Sequence, residues 1–313
     1  MLNIETHADD SFSQEQEFSF TESSLITSVS APSSRQNCFF YASMNSISLV
    51  DSRVYKPVTR IPVNSSLGVI TSLAYGSLLF GSSPPDSASE ILVASTSRGS
   101  IQVYNMRYPL LVNLWQQSDQ ASITRTRLGQ RLESIPTLWT ASGNNRVYLW
   151  NLESGECCRS LQVGEQSAVE LNHVSLKNLN ESTFGLVDSH MPVYQHSINA
   201  MVMPPYLNSY SPYDPSYVLT AGGDRCVRFW SFEESEPSYT VCSVEKSGVE
   251  DYYKMEGTVC KCVEAKRDIA TSSRSSEVHP VHPKAITDMV VTGNEKEELL
   301  LTSCMDGVIR IWK

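Results

Sequence analysis

LLTSCMDGVIRIW, residues 300–312, decides the fold, because the same pattern recurs four times upstream. LTAGGDRCVRFW ends at Trp230, WTASGNNRVYLW at Trp150, VASTSRGSIQVY at Tyr104 and, more weakly, FYASMNSISLV at Val50. Each copy runs from small residues through a polar turn into alternating apolar residues and closes on a large side chain. Counting back from that last residue, positions minus three and minus one are Ile309 and Ile311, Val227 and Phe229, Val147 and Leu149, Ile101 and Val103, Ile47 and Leu49. Alternation of period two is the signature of a strand with one face buried. Internal repetition has to be read before anything else, since it sets the architecture.

The turn chemistry completes each unit as a hairpin. Gly307, Asn145, Gly99 and Asn45 at minus five tolerate the left-handed conformation of a tight turn. Arg225 departs from this, and predicts a different turn geometry before Trp230. At minus six, Asp306, Asp224 and Asn144 can bond their own turn backbone. A further short apolar strand precedes each hairpin: LITSV (25–29), VITSL (69–73), SITRTRL (122–128), INAMV (198–202) and AITDM (285–289). Two of these follow a histidine, His196 and His282. Repeats of about 40–45 residues, each a small antiparallel sheet, predict an all-β propeller.

This layout resembles the WD-repeat family, in which a His, a Ser or Thr, an Asp and a Trp form a hydrogen-bonded network inside each blade. The resemblance covers nearly all of 24–313 and places that network on His282, Ser303, Asp306 and Trp312, with Asp224, Trp230 and Trp150 as parts kept by other blades. Five blades are recognisable. Residues 1–23 are acidic and rich in Ser and Gln, and their composition predicts disorder. Two insertions interrupt the 24–313 array, at 162–195 and 244–281. The first contains SAVELNHVSLKNL, a short helix by pattern. Loops at such junctions are where partners bind. The last blade is expected to lack its own outer strand, and EFSFT (17–21) is a candidate to cover that edge.

The net charge is −10 over 313 residues, and no basic stripe stands out, which excludes nucleic-acid binding on electrostatic grounds. No apolar signal region opens the chain, so the eight cysteines are expected to be reduced thiols of a cytosolic protein and the sequons at Asn64 and Asn180 chance matches. The uncharged run from Ile61 to Pro85 is broken by Asn64, Ser65, Ser66, Gly76 and Ser77; it reads as two buried strands rather than a spanning helix.

The last hundred residues carry a narrower resemblance. LTAGGDRCVRFWSFEESEPSYTV (219–241), VEDYYKMEGTVCKCVEAK (249–266), HPKAITDMVV (282–291) and the closing LLTSCMDGVIRIWK follow one another in an order similar to the C-terminal propeller of the regulatory, kinase-like subunit of the class III phosphatidylinositol 3-kinase complex, the family of the fifteenth vacuolar-protein-sorting subunit. The step from Tyr104 to Tyr108 also resembles a blade exit of that family. The resemblance implies a non-catalytic scaffold that supports phosphatidylinositol 3-phosphate production in endosomal sorting and autophagy. The implied partners are the lipid-kinase catalytic subunit and Beclin-type and adaptor coiled-coil subunits; membrane association is indirect, through the complex. Tyr239, Tyr252, Tyr253 and Lys254 are the expected contact residues. That family is usually seven-bladed and has a kinase-like domain and helical repeats; five blades here imply an incomplete or shortened ring. No Gly-rich phosphate loop, catalytic-loop Asp motif or DFG triplet occurs, so kinase activity does not carry over. The rival reading is a substrate receptor or peptide reader of a ubiquitin ligase or chromatin complex, binding short motifs at the central face.

Cys260-x-Cys262 with His279-x-x-His282 has zinc-ligand residue types, but Cys-x-Cys is tighter than the usual spacing and His282 has a competing blade role. No metal or cofactor is expected. Cys157-Cys158 reads as buried thiol, and His173, His190 and His196 as solvated or turn-bonding. Tyr206, Tyr210, Tyr213 and Tyr217 form either a partner-binding patch or a loop packed on its own blade.

Overall fold

Five sheets radiate in chain order, as the five hairpins require. The computed structural model describes residues 25–312 except 32–36, 45, 55, 79, 81–87, 131–135, 163–196, 204–216, 232–238, 243–248, 257–258, 267–281 and 295–296, and of the strands between 239 and 266 only the backbone course. The first blade holds β1 (Ile26–Ser30), β2 (Cys38–Ser43), β3 (Ser46–Asp51) and β4 (Lys56–Pro62). The second holds β5 (Ile70–Leu78), β6 (Ser89–Thr96), β7 (Ser100–Asn105) and β8 (Leu110–Gln116). The third is β9 (Ile123–Gln130), β10 (Pro136–Ser142), β11 (Arg146–Asn151) and β12 (Cys157–Gln162). The fourth is β13 (Ile198–Val202), β14 (Tyr217–Gly222), β15 (Val227–Ser231) and β16 (Tyr239–Cys242). After the hairpin of β17 (Val249–Glu256) and β18 (Val259–Lys266) comes the fifth, β19 (Ile286–Asn294), β20 (Glu297–Cys304) and β21 (Ile309–Trp312). Each blade is an antiparallel meander, and the fifth has three strands among the described residues. All five first strands fall where the apolar segments predict them.

Most cores lie between blades; a smaller one, Phe39, Tyr41 and Val50, lies within the first. Ile47 and Leu49 pack with Leu73, Leu92 and Tyr104 of the second blade. Ile101 and Val103 pack with Leu138 and Trp150 of the third. Val147 and Leu149 meet Met201, Val218 and Trp230 of the fourth, and Val227 meets Ile286 and Met289 of the fifth. Positions minus three and minus one therefore face the following blade, and the closing aromatic faces the preceding one. Side-chain hydrogen bonds tie the first strands together in the same direction. Thr71 Oγ1 donates to the Ile123 carbonyl at 2.5 Å, Thr124 Oγ1 to Ile198 at 2.5 Å, and Asn199 Nδ2 to Ile286 at 2.9 Å.

Two expectations are corrected here. Arg225 has φ 69°, the same left-handed conformation as Asn145 (69°), Gly99 (72°) and Gly307 (81°), so its hairpin uses the common turn. The turn is held by Arg225 N–H to the Gly222 carbonyl (3.1 Å) and Cys226 N–H to Asp224 Oδ1 (3.2 Å), which offsets the strain of a non-glycine there. Gly222 itself admits no side chain, since a Cβ would lie 1.9 Å from the Ser197 carbonyl oxygen. The second insertion is also not merely a loop. β17 and β18 pair from Val249↔Lys266 to Glu256↔Val259, and β18 runs parallel to β12 from Arg159↔Cys260 to Gln162↔Val263, giving the third blade a six-stranded sheet. The EFSFT strand, the short helix in 163–195, Asn45, Tyr206, Tyr210, Tyr213, His173, His190, His196 and His279 lie outside the described residues.

Candidate interaction surfaces

The blade networks are rigid struts rather than reactive sites. In the fifth blade, Trp312 Nε1 donates to Thr302 Oγ1 at 3.0 Å, and His282 Nε2 lies 3.4 Å from the same hydroxyl. His282 is fully buried, with its ring 5.7 Å from that of Trp312. Burial pushes its pKa down, the Arg310 charge adds to this, and Asp306 opposes it. Ser303, the residue expected between His282 and Trp312, is corrected to Thr302. Strand alternation turns Ser303 to the opposite face, where it bonds Thr287 Oγ1 at 2.8 Å. Asp306 accepts from Val308 N–H (3.0 Å) and Arg310 Nη2 (2.7 Å), and Arg310 holds its carboxyl well below the usual range. Asp224 pairs with Arg228 in the same way.

The other Trp blades repeat the indole bond. Trp230 Nε1 donates to Thr220 Oγ1 at 2.8 Å and Trp150 Nε1 to Thr140 Oγ1 at 2.9 Å. The Thr ten residues before each of these Trp residues is thus the shared acceptor, a periodic signal that the sequence also carries. In the third blade Gln117 takes the histidine's place, with Nε2 donating to Thr140 Oγ1 at 3.0 Å while its Oε1 accepts from Ser142 at 3.0 Å. That blade's turn has Asn144 where the fourth and fifth blades have Asp, and the carboxylate comes from Asp119 on the preceding loop. Asp119 Oδ2 accepts from Asn144 Nδ2 (2.6 Å) and the Tyr148 hydroxyl (2.5 Å). Burial and that carboxylate push the Tyr148 pKa up.

An apolar surface left open among the described residues lies on the fifth blade. Ile309 and Ile311 are 67% and 66% exposed, while their counterparts Ile47, Leu49, Ile101, Val103, Val147, Leu149 and Val227 are 0–7% exposed. Val290, Met305 and Val308 extend this apolar face. Apolar patches of this kind mark interaction sites. Thr287, whose counterparts Thr71, Thr124 and Asn199 each bond the next blade, bonds Ser303 of its own sheet. The ring is therefore partial among the described residues.

The expected contact tyrosines sit elsewhere. Tyr239 opens β16, opposite Phe229, and Tyr252, Tyr253 and Lys254 lie on β17, the outermost strand of the six-stranded sheet, opposite Val263, Cys262 and Lys261. Tyr217 stacks on Phe229 with ring centroids 4.9 Å apart, so this member of the tyrosine group packs on its own blade. Toward the inner strands, Arg125 of β9 reaches the Thr287 carbonyl (3.3 Å) and Asp288 (3.6 Å), spanning from the third blade to the fifth. Cys157 is half-buried and burial pushes its thiol up to about 12, whereas Cys158 is exposed rather than buried. His282 is committed to its blade, and among the described residues no three His, Cys, Asp or Glu gather as metal ligands.

This geometry defines a WD-repeat propeller arc, a fold that serves as a protein-interaction scaffold. The family model described as WD domain, G-beta repeat, matches residues 273–313, which take in the fifth blade. Across 90% of its length the chain is 24% identical to the Serine/threonine-protein kinase VPS15 of Arabidopsis thaliana, and it spans 19% of that protein.

Proposed function

We propose that this chain is a non-catalytic scaffold module of the class III phosphatidylinositol 3-kinase complex, supporting phosphatidylinositol 3-phosphate production in endosomal sorting and autophagy. The observation that carries this reading is the similarity to VPS15 along 90% of a chain whose described residues build propeller blades. A rigid array of blades displays rim edges and, among the described residues, an open apolar face on the fifth blade, the kinds of surface that hold elongated partners in place. The proposed partners are the lipid-kinase catalytic subunit and Beclin-type and adaptor coiled-coil subunits. The proposed location is cytoplasmic, peripheral on endosomal and autophagic membranes through the complex. Tyr239, Tyr252, Tyr253 and Lys254 are proposed contacts, because the hairpin bearing three of them forms an outer edge.

The test is recovery of the endogenous protein with an antibody to its C-terminal residues, followed by mass spectrometry. Recovery of the lipid kinase with Beclin-type subunits supports the reading; recovery of ligase or chromatin subunits instead overturns it. Tyr252→Ala with Tyr253→Ala is expected to weaken partner retention in a protein that still folds, and unchanged retention would remove those residues from the interface.

A further inference from the structure

Of the five first strands, only β9 and β19 carry charged residues: Arg125 and Arg127 on the one, Asp288 on the other. Thr27, Thr71, Thr124, Asn199 and Thr287 hold one repeat position, each at the register shift of its strand. One and three residues further on stand Ser28 and Ser30, Ser72 and Ala74, Arg125 and Arg127, Ala200 and Val202, and Asp288 and Val290. The third blade therefore sets two cations, and the fifth one carboxylate, where the other blades have small or apolar residues. The balance is positive on a chain of net charge −10.

Arg125 lies opposite Ala141 and Arg127 opposite Trp139 in the regular part of the ladder, so alternation puts both side chains on one face of β9, with Cα atoms about 6.6 Å apart. Arg125 is held in place. Its Nη1 donates to the Thr124 carbonyl at 3.1 Å, its Nη2 to the Thr287 carbonyl at 3.3 Å, and Asp288 Oδ2 lies 3.6 Å from that Nη2. The matching residue of the fourth blade, between them in the chain, is Ala200, and the inner strands of the third and fifth blades stand one arginine apart. Arg127 is far less engaged. Its Nη1 donates to the Thr126 carbonyl at 3.3 Å, and among the described residues no carboxylate pairs with it. It is exposed to water, yet the protein around it pushes its pKa down; the Arg125 charge adds to this and Asp288 opposes it. Accessible and enclosed at once, this guanidinium lines a concavity, and the nearby carboxylate that could balance it is taken by Arg125.

Two like charges on one strand face repel, and an anion between them relieves the repulsion. One guanidinium is fixed in advance by backbone carbonyls of two blades. The other keeps its Nε and Nη2 donors free, the fork that takes a carboxylate or phosphate group in two parallel hydrogen bonds. We propose that Arg125 and Arg127 form a binding site for a small oxyanion, a phosphate or a carboxylate, between the inner strands of the third and fifth blades. A gap that one arginine spans admits a small ion and not a helix, which is roughly 10–12 Å across with its side chains. The proposal goes beyond the scaffold assignment and stands on these two residues, whichever complex the chain serves.

The test is isothermal titration of the full chain with inorganic phosphate and, in a separate arm, with acetate, both at an ionic strength held constant with chloride. Saturable binding of either oxyanion is the expected result, and the tighter of the two identifies the group the site is built for; heat of dilution alone in both arms overturns the proposal. Arg127→Met should weaken binding about tenfold, the effect of losing one charge-assisted fork. Asp288→Asn, which removes the opposing carboxylate, should tighten it. Arg107→Met, a change at another exposed cation, should leave it unchanged. If Arg127→Met alters the thermal melt, Arg127→Gln takes its place. Equal weakening by Arg107→Met would reduce the effect to unspecific screening and overturn the proposal, as would binding that survives the loss of Arg127 intact.

Discussion

The fifth blade and the four before it are written in nearly the same residues and live in different environments. Ile101 and Val103 are sealed against the third blade, whereas Ile309 and Ile311, at the same repeat positions, are two-thirds exposed. The inner polar residue shows the same contrast, since Thr71 reaches the next blade and Thr287 turns back to Ser303. A repeat sequence specifies which face it offers; whether that face is buried depends on its neighbour.

The comparison is broken most directly by truncating matched residues. Ile101→Ala is expected to cost ~2–5 kcal/mol, the range for a buried aliphatic that leaves a cavity. Ile309→Ala should stay within ~0.5 kcal/mol, as exposed substitutions do. Equal shifts of the urea midpoint in the two variants would mean that the fifth face is covered in solution. A step smaller, Thr140→Ala strands the buried Trp150 Nε1 and Gln117 Nε2 donors and should cost about 1–3 kcal/mol. Thr302→Ala should cost less, because Trp312 is only half-buried, and calorimetric melting of the pair would show the order.

His282 sharpens the contrast by pH. Its folded pKa lies below the ordinary 6.5, so the unfolded chain takes up its proton first. The histidine's contribution to stability is therefore complete above pH 6.5 and is lost as pH falls through that value toward the folded pKa. His282→Gln, which copies Gln117 of the third blade, should flatten that acid slope in melts taken across the window. The smallest effect on stability is expected from Ile309→Ser with Ile311→Ser, read as an unchanged melting temperature with weaker fluorescence of an apolar dye.

Much of this was legible along the chain. Short apolar segments located all five first strands, and period-two runs with polar turn residues located the hairpins, because apolar clustering, alternation and turn geometry are local. The Trp anchors were equally clear. Their hydroxyl partner was misassigned by one residue, since Ser303 and Thr302 both fit the composition and only the pleat decides which points inward. Asp119 escaped notice for another reason. It lies well before the turn it serves, and nothing local marks a carboxylate that replaces the Asp missing beside Asn145. Arg225 went astray because preference is not prohibition: an Asx turn and a backbone hydrogen bond hold it left-handed.

By itself, the sequence determined the repeat, the strand positions, the all-β class and the lack of kinase signature motifs. Those follow from side-chain periodicity and motif spacing, which are properties of neighbouring residues. Only the tertiary structure decided that the fifth blade's outward face is uncovered among the described residues, and that β18 joins the third blade rather than its sequence neighbours. Each of these depends on which blade stands beside which, and contacts between segments far apart in the chain leave no local mark on either one.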